Sequence, residues 1–333
     1  MEDKVLLAHG SGGKLSQELI ASLITPIANP ILERLEDSAV LEVKGRIAFT
    51  TDSYTVSPVF FPGGDIGKLA VCGTVNDLSM SGAKPLYLSL ALIIEEGLPV
   101  AELKQVISSI RDAASEAGVQ IVTGDTKVVD QGSADKLFIN TAGIGAVPAG
   151  IDISAANARL GDRVIVSGNI GDHGIAVMSR REGIKFHTPI PSDCAPLGGL
   201  VADMLAVTKN IRCLRDPTRG GLATTLNDFA GQSDTGIVIE EEKLPVDRAV
   251  LAACELLGFD PLYIANEGKL AAVVPAGDAE NVLAAMKKNK YGGKAAIIGE
   301  VVAAHPQQVV MKTTLGASRI VDVPVGELLP RIC

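Results

Sequence analysis

Aromatic residues are scarce in this chain, with seven Phe, four Tyr and no Trp among 333 residues. The core must therefore be built from Ala, Val, Leu and Ile. Five cysteines (Cys72, Cys194, Cys213, Cys254 and Cys333) are widely scattered and form no CxxC pair. That spacing indicates neither a zinc site nor a disulfide framework. The four histidines (His9, His173, His187 and His305) lack metal-ligand spacing, and His9 and His173 differ from the others only in adjoining glycines. Mean hydropathy is +0.30, yet no apolar run approaches the ~20 residues that span a bilayer. The start, Met1-Glu2-Asp3-Lys4, lacks the basic flank and apolar stretch of a signal peptide. A net charge of −9 disfavours nucleic acid or an anionic membrane as the main partner. The expectation is a cytoplasmic protein with no nucleic-acid or membrane partner.

What is present is a soluble globular balance, 47% hydrophobic and 21% charged, in a chain long enough for two domains. Strand-like and helix-like segments alternate between Gly-rich turns. Residues 47–51, 87–94, 119–122 and 138–142 read as strands in the first half. Leu103, Val106, Ile107, Ile110, Ala114 and Ala117 share one helical face. The pattern loosens over 148–161, where Pro148, Gly150, Asn157 and Gly161 crowd together. Beyond it, 163–167, 270–274 and 295–302 read as strands, and 197–205, 222–230, 246–257 and 278–288 as helices. Such alternation in both halves predicts α/β or α+β layers.

The first half places aspartates at turns. Glu36-Asp37-Ser38-Ala39 and Thr51-Asp52-Ser53 each read as the end of a strand, and Gly124-Asp125-Thr126-Lys127 as the turn after 119–122. A single Asp in such a place is ordinarily a cap or turn former. Asp77 is different, because Asn76-Asp77 interrupts an apolar helix and a buried carboxylate needs a partner or a cation. Four aspartates brought together would suit Mg²⁺, which prefers hard oxygen ligands and retains substrate phosphates. Two glycine loops, His9-Gly10-Ser11-Gly12-Gly13-Lys14 and Phe61-Pro62-Gly63-Gly64-Asp65-Ile66-Gly67-Lys68, could present backbone N–H groups to an anion. Neither matches the Walker pattern. The second half adds Gly168–Gly174, Asp216-Pro217-Thr218-Arg219-Gly220-Gly221 and Asn266-Glu267-Gly268-Lys269. Each also reads as an ordinary turn, and for Asp216 and Arg219 a loop role and a site role are equally open. The chain closes on Pro330-Arg331-Ile332-Cys333, a thiol at the position best able to swing into another site.

Taken in order, these motifs resemble the ATP-dependent family that includes aminoimidazole ribonucleotide synthetase (PurM), selenophosphate synthetase and thiamine-monophosphate kinase. Within it they are most similar to the carbamoyl dehydratases of hydrogenase maturation. The resemblance runs over essentially the whole chain and implies a two-domain PurM-like fold. Its parts are a glycine-loop segment (1–35), an α+β ATP-binding domain (36–150), an α/β domain (151–322) and a mobile tail (323–333) carrying Cys333. It also implies pairing of the N-terminal domain with its twin in a homodimer.

The implied reaction is ATP-dependent dehydration of a carbamoyl group on Cys333, turning a thiocarboxamide into a thiocyanate. A carbamoyltransferase (HypF) would load the thiol, and a HypC–HypD iron scaffold would receive cyanide for a [NiFe] hydrogenase. By the same resemblance ATP and Mg²⁺ are the cofactors, and Asp37, Asp52, Asp77 and Asp125 are candidate metal ligands. Gly12, Gly13, Lys68, Asn76 and Thr126 join those four aspartates in nucleotide binding. Lys127 and Glu267 stand nearest the chemistry, Lys127 stabilising developing charge and Glu267 taking nitrogen protons. The alternatives are another enzyme of this fold, such as a selenophosphate synthetase or a small-molecule kinase, and a non-catalytic docking module regulated by ATP.

Overall fold

A computed structural model describes residues 3–11, 13–36, 38–181 and 190–324. Gly12, Asp37, His187 and Cys333, with the tail from residue 325 onward, lie outside the described residues. The strands are β1 (Arg46–Tyr54), β2 (Phe60–Phe61), β3 (Gly64–Asp65), β4 (Lys84–Glu95), β5 (Gln120–Val129) and β6 (Leu137–Val147) in the first half. In the second half they are β7 (Arg163–Val166), β8 (Cys213–Arg215), β9 (Gly236–Glu240), β10 (Ala271–Val274), β11 (Ala296–Val302), β12 (Val309–Lys312) and β13 (Ser318–Val321). The helices are α1 (Lys14–Ile24), α2 (Ile66–Met80), α3 (Val100–Ala117) and α4 (Asp172–Arg181), then α5 (Gly198–Val207), α6 (Gly221–Ser233), α7 (Arg248–Leu257) and α8 (Ala276–Lys288).

The first layer is a four-stranded sheet in the order β1-β6-β4-β5. The parallel pair β4–β5 is joined by α3, the crossover that parallel neighbours require. α3 buries Leu103, Val106, Ile107 and Ile110 along one stripe, and Gly118, at φ +69°, ends it in the left-handed conformation that glycine adopts without penalty. α2 is buried on nearly every side, sandwiched between the sheet, α3 and the second half of the chain. Sheet and helices close one core. The opposite face of the sheet stays open, with Ile47 and Phe49 on β1 and Ile93 on β4 exposed.

The second layer is a seven-stranded sheet, β13-β12-β9-β11-β7-β10-β8, antiparallel except for β9–β12. Its central strands are mostly apolar, and β10 is buried at all four positions. α6 packs one core around Leu222, Leu226 and Phe229, while α5 and α8 pack a second around Leu200, Met204 and Met286. Among the described residues no helix is long and apolar enough to cross a membrane.

Several elements differ from the sequence reading. Thr51-Asp52-Ser53 lies inside β1, not at its end, because β6 supplies a partner at every position from Arg46 to Tyr54. Gly124-Asp125-Thr126-Lys127 likewise lies within β5, which β4 pairs as far as Val129. Glu36 follows a single helical turn at Leu32–Arg34, with no strand before it. Helices α1 and α4 and strands β2, β3, β9, β12 and β13 have no counterpart in the sequence reading.

Gly67 shows how tightly α2 meets α3: a Cβ there would fall 2.6 Å from the Val106 carbonyl oxygen. Gly67→Ala gains helix propensity yet forces the two helices apart. We expect a net loss of about 1–3 kcal/mol, seen as a lower midpoint in denaturant with an unchanged slope.

Candidate functional site

The site forms where the two sheets' layers meet. On the first side Asp52 projects from β1 toward α2, in register with buried Thr141, whose hydroxyl donates to the Ala70 carbonyl. Asp77 opens toward the same place from the last turns of α2, and its Oδ2 accepts the Thr50 hydroxyl at 3.0 Å. Tyr54 is fully buried between them, its hydroxyl 3.3 Å from that of Thr74.

The second side is assembled from three loops singled out in the sequence, and one side chain knits them together. Asn266 accepts the Gly171 N–H at 2.8 Å through Oδ1. Its Nδ2 donates to the carbonyls of Pro217 and Ile264 at 2.9 and 3.0 Å. The Gly168–Gly174, 216–221 and 266–269 loops therefore converge. Gly221 (φ +61°) is needed for this, since a Cβ there would lie 2.5 Å from the Leu262 carbonyl oxygen. The loops deliver Asp216, Arg219 and Glu267 into a cavity of about 190 Å³ that Asp52 and Asp77 line from the other side.

Asn76, the residue before Asp77, joins the halves. It is 1% exposed; its amide donates to the Ala195 and Glu267 carbonyls at 3.1 and 3.3 Å and accepts the Leu197 N–H at 2.8 Å. Its hydrogen-bonding capacity is spent within the protein, so it holds the site instead of meeting a nucleotide.

The electrostatics follow from crowding carboxyls in a place with little water. Burial, then Asp77, pushes the Asp216 carboxyl up to about 7. Burial raises Asp77 as well, with Asp52 adding to the shift and the Thr50 hydroxyl and Arg219 opposing it. Glu267 is raised well above the usual carboxylate range by burial first, then by Cys194 and Asp216. Its Oε1 is buried and, among the described residues, has no hydrogen-bond partner. Glu267 Oε1 is thus a buried polar atom left open to a ligand.

The remaining candidates lie elsewhere. Asp125 and Lys127 pair with each other at 3.1 Å on the open face of the sheet, where Ala91 and Ile93 are their β4 partners. Lys127 holds the Asp125 carboxyl below its usual range. Register places Asp125 level with Ser53 (through Ala91 and Asn140), three strand spacings away, or roughly 14 Å. Asp52 faces the other side. Within one chain Asp52 and Asp77 converge, and Asp125 does not join them. Gly13 caps α1, and the adjoining glycine loop leans on β5, with Gly10 against Val128. Asp125 and Thr126 border an apolar cavity of about 460 Å³ between α1 and β5.

The second glycine loop does not serve as an anion cradle. The α2 amides of Gly67 and Lys68 are already taken by the Asp65 carboxylate, and the Lys68 amine donates to the Gly63 carbonyl at 3.1 Å. Sequence reasoning gave Asp216 and Arg219 only secondary weight and missed Asn266 as the organiser. The signal available was the Asp-Pro-Thr-Arg-Gly-Gly run, which is more punctuated than a simple turn requires.

Among the described residues no three His, Cys, Asp or Glu side chains form a ready-made metal site. The donor set still fits Mg²⁺, which takes one or two carboxylates and keeps phosphates and waters as its other ligands. Asp52 and Asp77, which line the same cavity, would hold it.

Residues 35–147 match the N-terminal domain, and residues 159–312 the C-terminal domain, of AIR synthase related proteins. The chain is 53% identical over 331 residues to carbamoyl dehydratase HypE of Azotobacter vinelandii, covering 99% of this chain and 97% of that one. It superposes on the crystal structure of a hydrogenase maturation protein HypE in complex with ATP at a TM-score of 0.95, with 50% identity over 99% and 100% of the two chains. It also matches a HypE–HypF complex, with a TM-score of 0.82 and 54% identity over 94% of this chain and all of that one.

The raised pKa of Asp216 gives the stability a direction with pH. Between its ordinary value of 3.8 and its folded value of about 7, the folded chain binds more protons than the unfolded one, so this group's contribution weakens as pH rises. Asp216→Asn should melt higher than the parent chain near pH 8 without magnesium, and the difference should vanish toward about pH 4. Melting curves across that range test this; a difference independent of pH would contradict it.

Proposed function

Because this chain belongs to the AIR synthase-related family and, within it, to the HypE carbamoyl dehydratases, we propose that its junction cavity removes water from a carbamoyl group carried on Cys333, at the expense of ATP. The observation that carries this reading is Glu267: a buried carboxyl with an unpartnered oxygen, at the end of a cavity sized for a small group.

The chemistry asks for three things. A primary amide oxygen leaves poorly, so transfer of the γ-phosphoryl group to that oxygen makes it a phosphate leaving group; loss of the nitrogen protons and of phosphate then gives the nitrile. The net change is thiocarboxamide plus ATP to thiocyanate, ADP and phosphate. Such a reaction depends on positioning and on stabilising charge more than on a protein nucleophile. Asp52 and Asp77 would hold Mg²⁺, which when bound would neutralise phosphate charge. Arg219 lies beside them as a fixed cation for the transferring group. Glu267, in its ionised form, accepts a proton from the amide nitrogen.

ATP binds with its phosphates toward the glycine loop and with Asp125, Thr126 and Lys127 on the same side. Asp37 and Gly12 belong to this set by sequence alone. The transferase HypF loads the thiol and a HypC–HypD scaffold takes the cyanide, in the cytoplasm. A second copy of the chain covers the open sheet face with Ile47, Phe49 and Ile93, forming a homodimer that brings Lys127 of one copy toward the chemistry of the other. This accounts for the separation of Lys127 from Glu267 within a chain.

Intact mass of the carbamoyl-loaded chain before and after addition of ATP tests the main reading. The parent should lose one water, Cys333→Ala should never acquire the adduct yet still bind ATP, and Glu267→Gln should keep the adduct unchanged. An active Glu267→Gln would remove Glu267 from the mechanism. For the shared site, Lys127→Ala and Glu267→Gln chains are each expected to be inactive alone and to regain dehydration when mixed and allowed to exchange. No recovery in a verified mixed dimer would refute it.

A further inference from the structure

Glu267 Oε1 has no hydrogen-bond partner among the described residues, so the aim of the carboxyl depends strongly on how its backbone is held. The holding groups are few. The Glu267 carbonyl accepts N–H groups from Asn76 at 3.3 Å and from Ala195 at 3.4 Å. Its own N–H donates to Asp193 Oδ1 at 3.2 Å, and the next N–H, of Gly268, donates to Asp193 Oδ2 at 3.2 Å. One carboxylate therefore grips both amides that flank the Glu267 Cα–carbonyl segment.

The clamp is built into the interior. The Asp193 side chain is only 2% exposed, and its charge is balanced by Lys269 at 3.2 Å from Oδ2. Lys269 is itself confined, its stem lying over Gly168, where an added Cβ would come within 3.2 Å of Cε. Gly268 is the residue that lets the two strands of chain approach: a Cβ there would sit 1.8 Å from the Asp193 carbonyl oxygen. A buried charge is costly unless paired and hydrogen-bonded, and Asp193 meets both conditions only when the 267–268 peptide is in this one arrangement. The Asp193 carboxylate is thus taken up by the Glu267 and Gly268 amides and the Lys269 amine.

We propose that Asp193 is the positioning residue for Glu267, fixing through the two backbone amides where the carboxyl points into the cavity. The inference rests on the reading that Glu267 acts in the dehydration. Asp193→Asn keeps the size of the side chain but replaces one of the two acceptor oxygens with a donor. A carboxyl displaced by about 1 Å loses on the order of 10²-fold in rate.

The experiment is single-turnover dehydration of the full chain loaded at Cys333, followed by intact mass at saturating ATP, with ATP affinity measured on the same samples. Asp193→Asn should slow water loss by about 10²-fold while ATP affinity stays within about twofold. Asp193→Ser, which retains one acceptor, provides the same comparison if the Asn variant does not fold. Parent-like rates in the Asp193 variants alongside an inactive Glu267→Gln would overturn the proposal. So would a loss of ATP affinity that parallels the loss of rate, the mark of general damage to the fold. An active Glu267→Gln would instead overturn the underlying assignment of Glu267, whatever the Asp193 variants do.

Discussion

One buried amide decides how the two halves of this protein face each other. Asn76 leaves a helix of the first half and satisfies three backbone groups of the second: two carbonyls and one N–H. Left unmet in so dry a place, each of those groups would cost about 1–3 kcal/mol. The latch also sets a spacing. Asp77 follows Asn76 directly, and one of the captured carbonyls belongs to Glu267, so the same side chain fixes the cavity's two walls relative to each other.

The cavity so defined is electrostatically strained. Asp52, Asp77, Asp216 and Glu267 share one small space with Arg219, and three of the four carboxyls are pushed upward by burial and by one another. A fold selected for stability alone would pair these groups or replace them. Carboxyls moved toward neutral pH in a cleft are instead characteristic of sites that exchange protons or receive cationic charge. The surrounding loops tolerate that strain because Asn266 ties three of them together through backbone bonds, independent of the charge state of the neighbours.

The sequence disclosed most of the strands and helices that alternate with clear apolar periodicity, such as α3, whose stripe was complete. It did not disclose the extent of β1 and β5, because polar residues such as Thr51 and Asp125 look like turn formers until a partner strand is known to run beside them. The short strand β12 was hidden for a related reason: it pairs with a distant neighbour, β9, and β13 is an edge strand that pairs with β12 alone. In the site, Asp77 was legible as a carboxylate out of place in an apolar helix. Asn76 was also legible as anomalous but was read as a nucleotide ligand, since a primary amide gives no hint whether it will meet a ligand or a carbonyl 191 residues away. Convergence was the missing information. Spacing along the chain does not say that Asp52 and Asp125 occupy opposite faces and opposite edges of one sheet.

The small volume of the junction cavity has a further consequence. At about 190 Å³ it lies below the roughly 300 Å³ at which pockets begin to enclose whole small molecules. It therefore works as a gauge: its volume admits a few atoms on a narrow stem and is too small to enclose a whole nucleotide. Bulk is excluded by dimension before any charge or hydrogen bond is consulted. An enzyme with such an aperture selects the way its substrate is mounted as much as the functional group it carries.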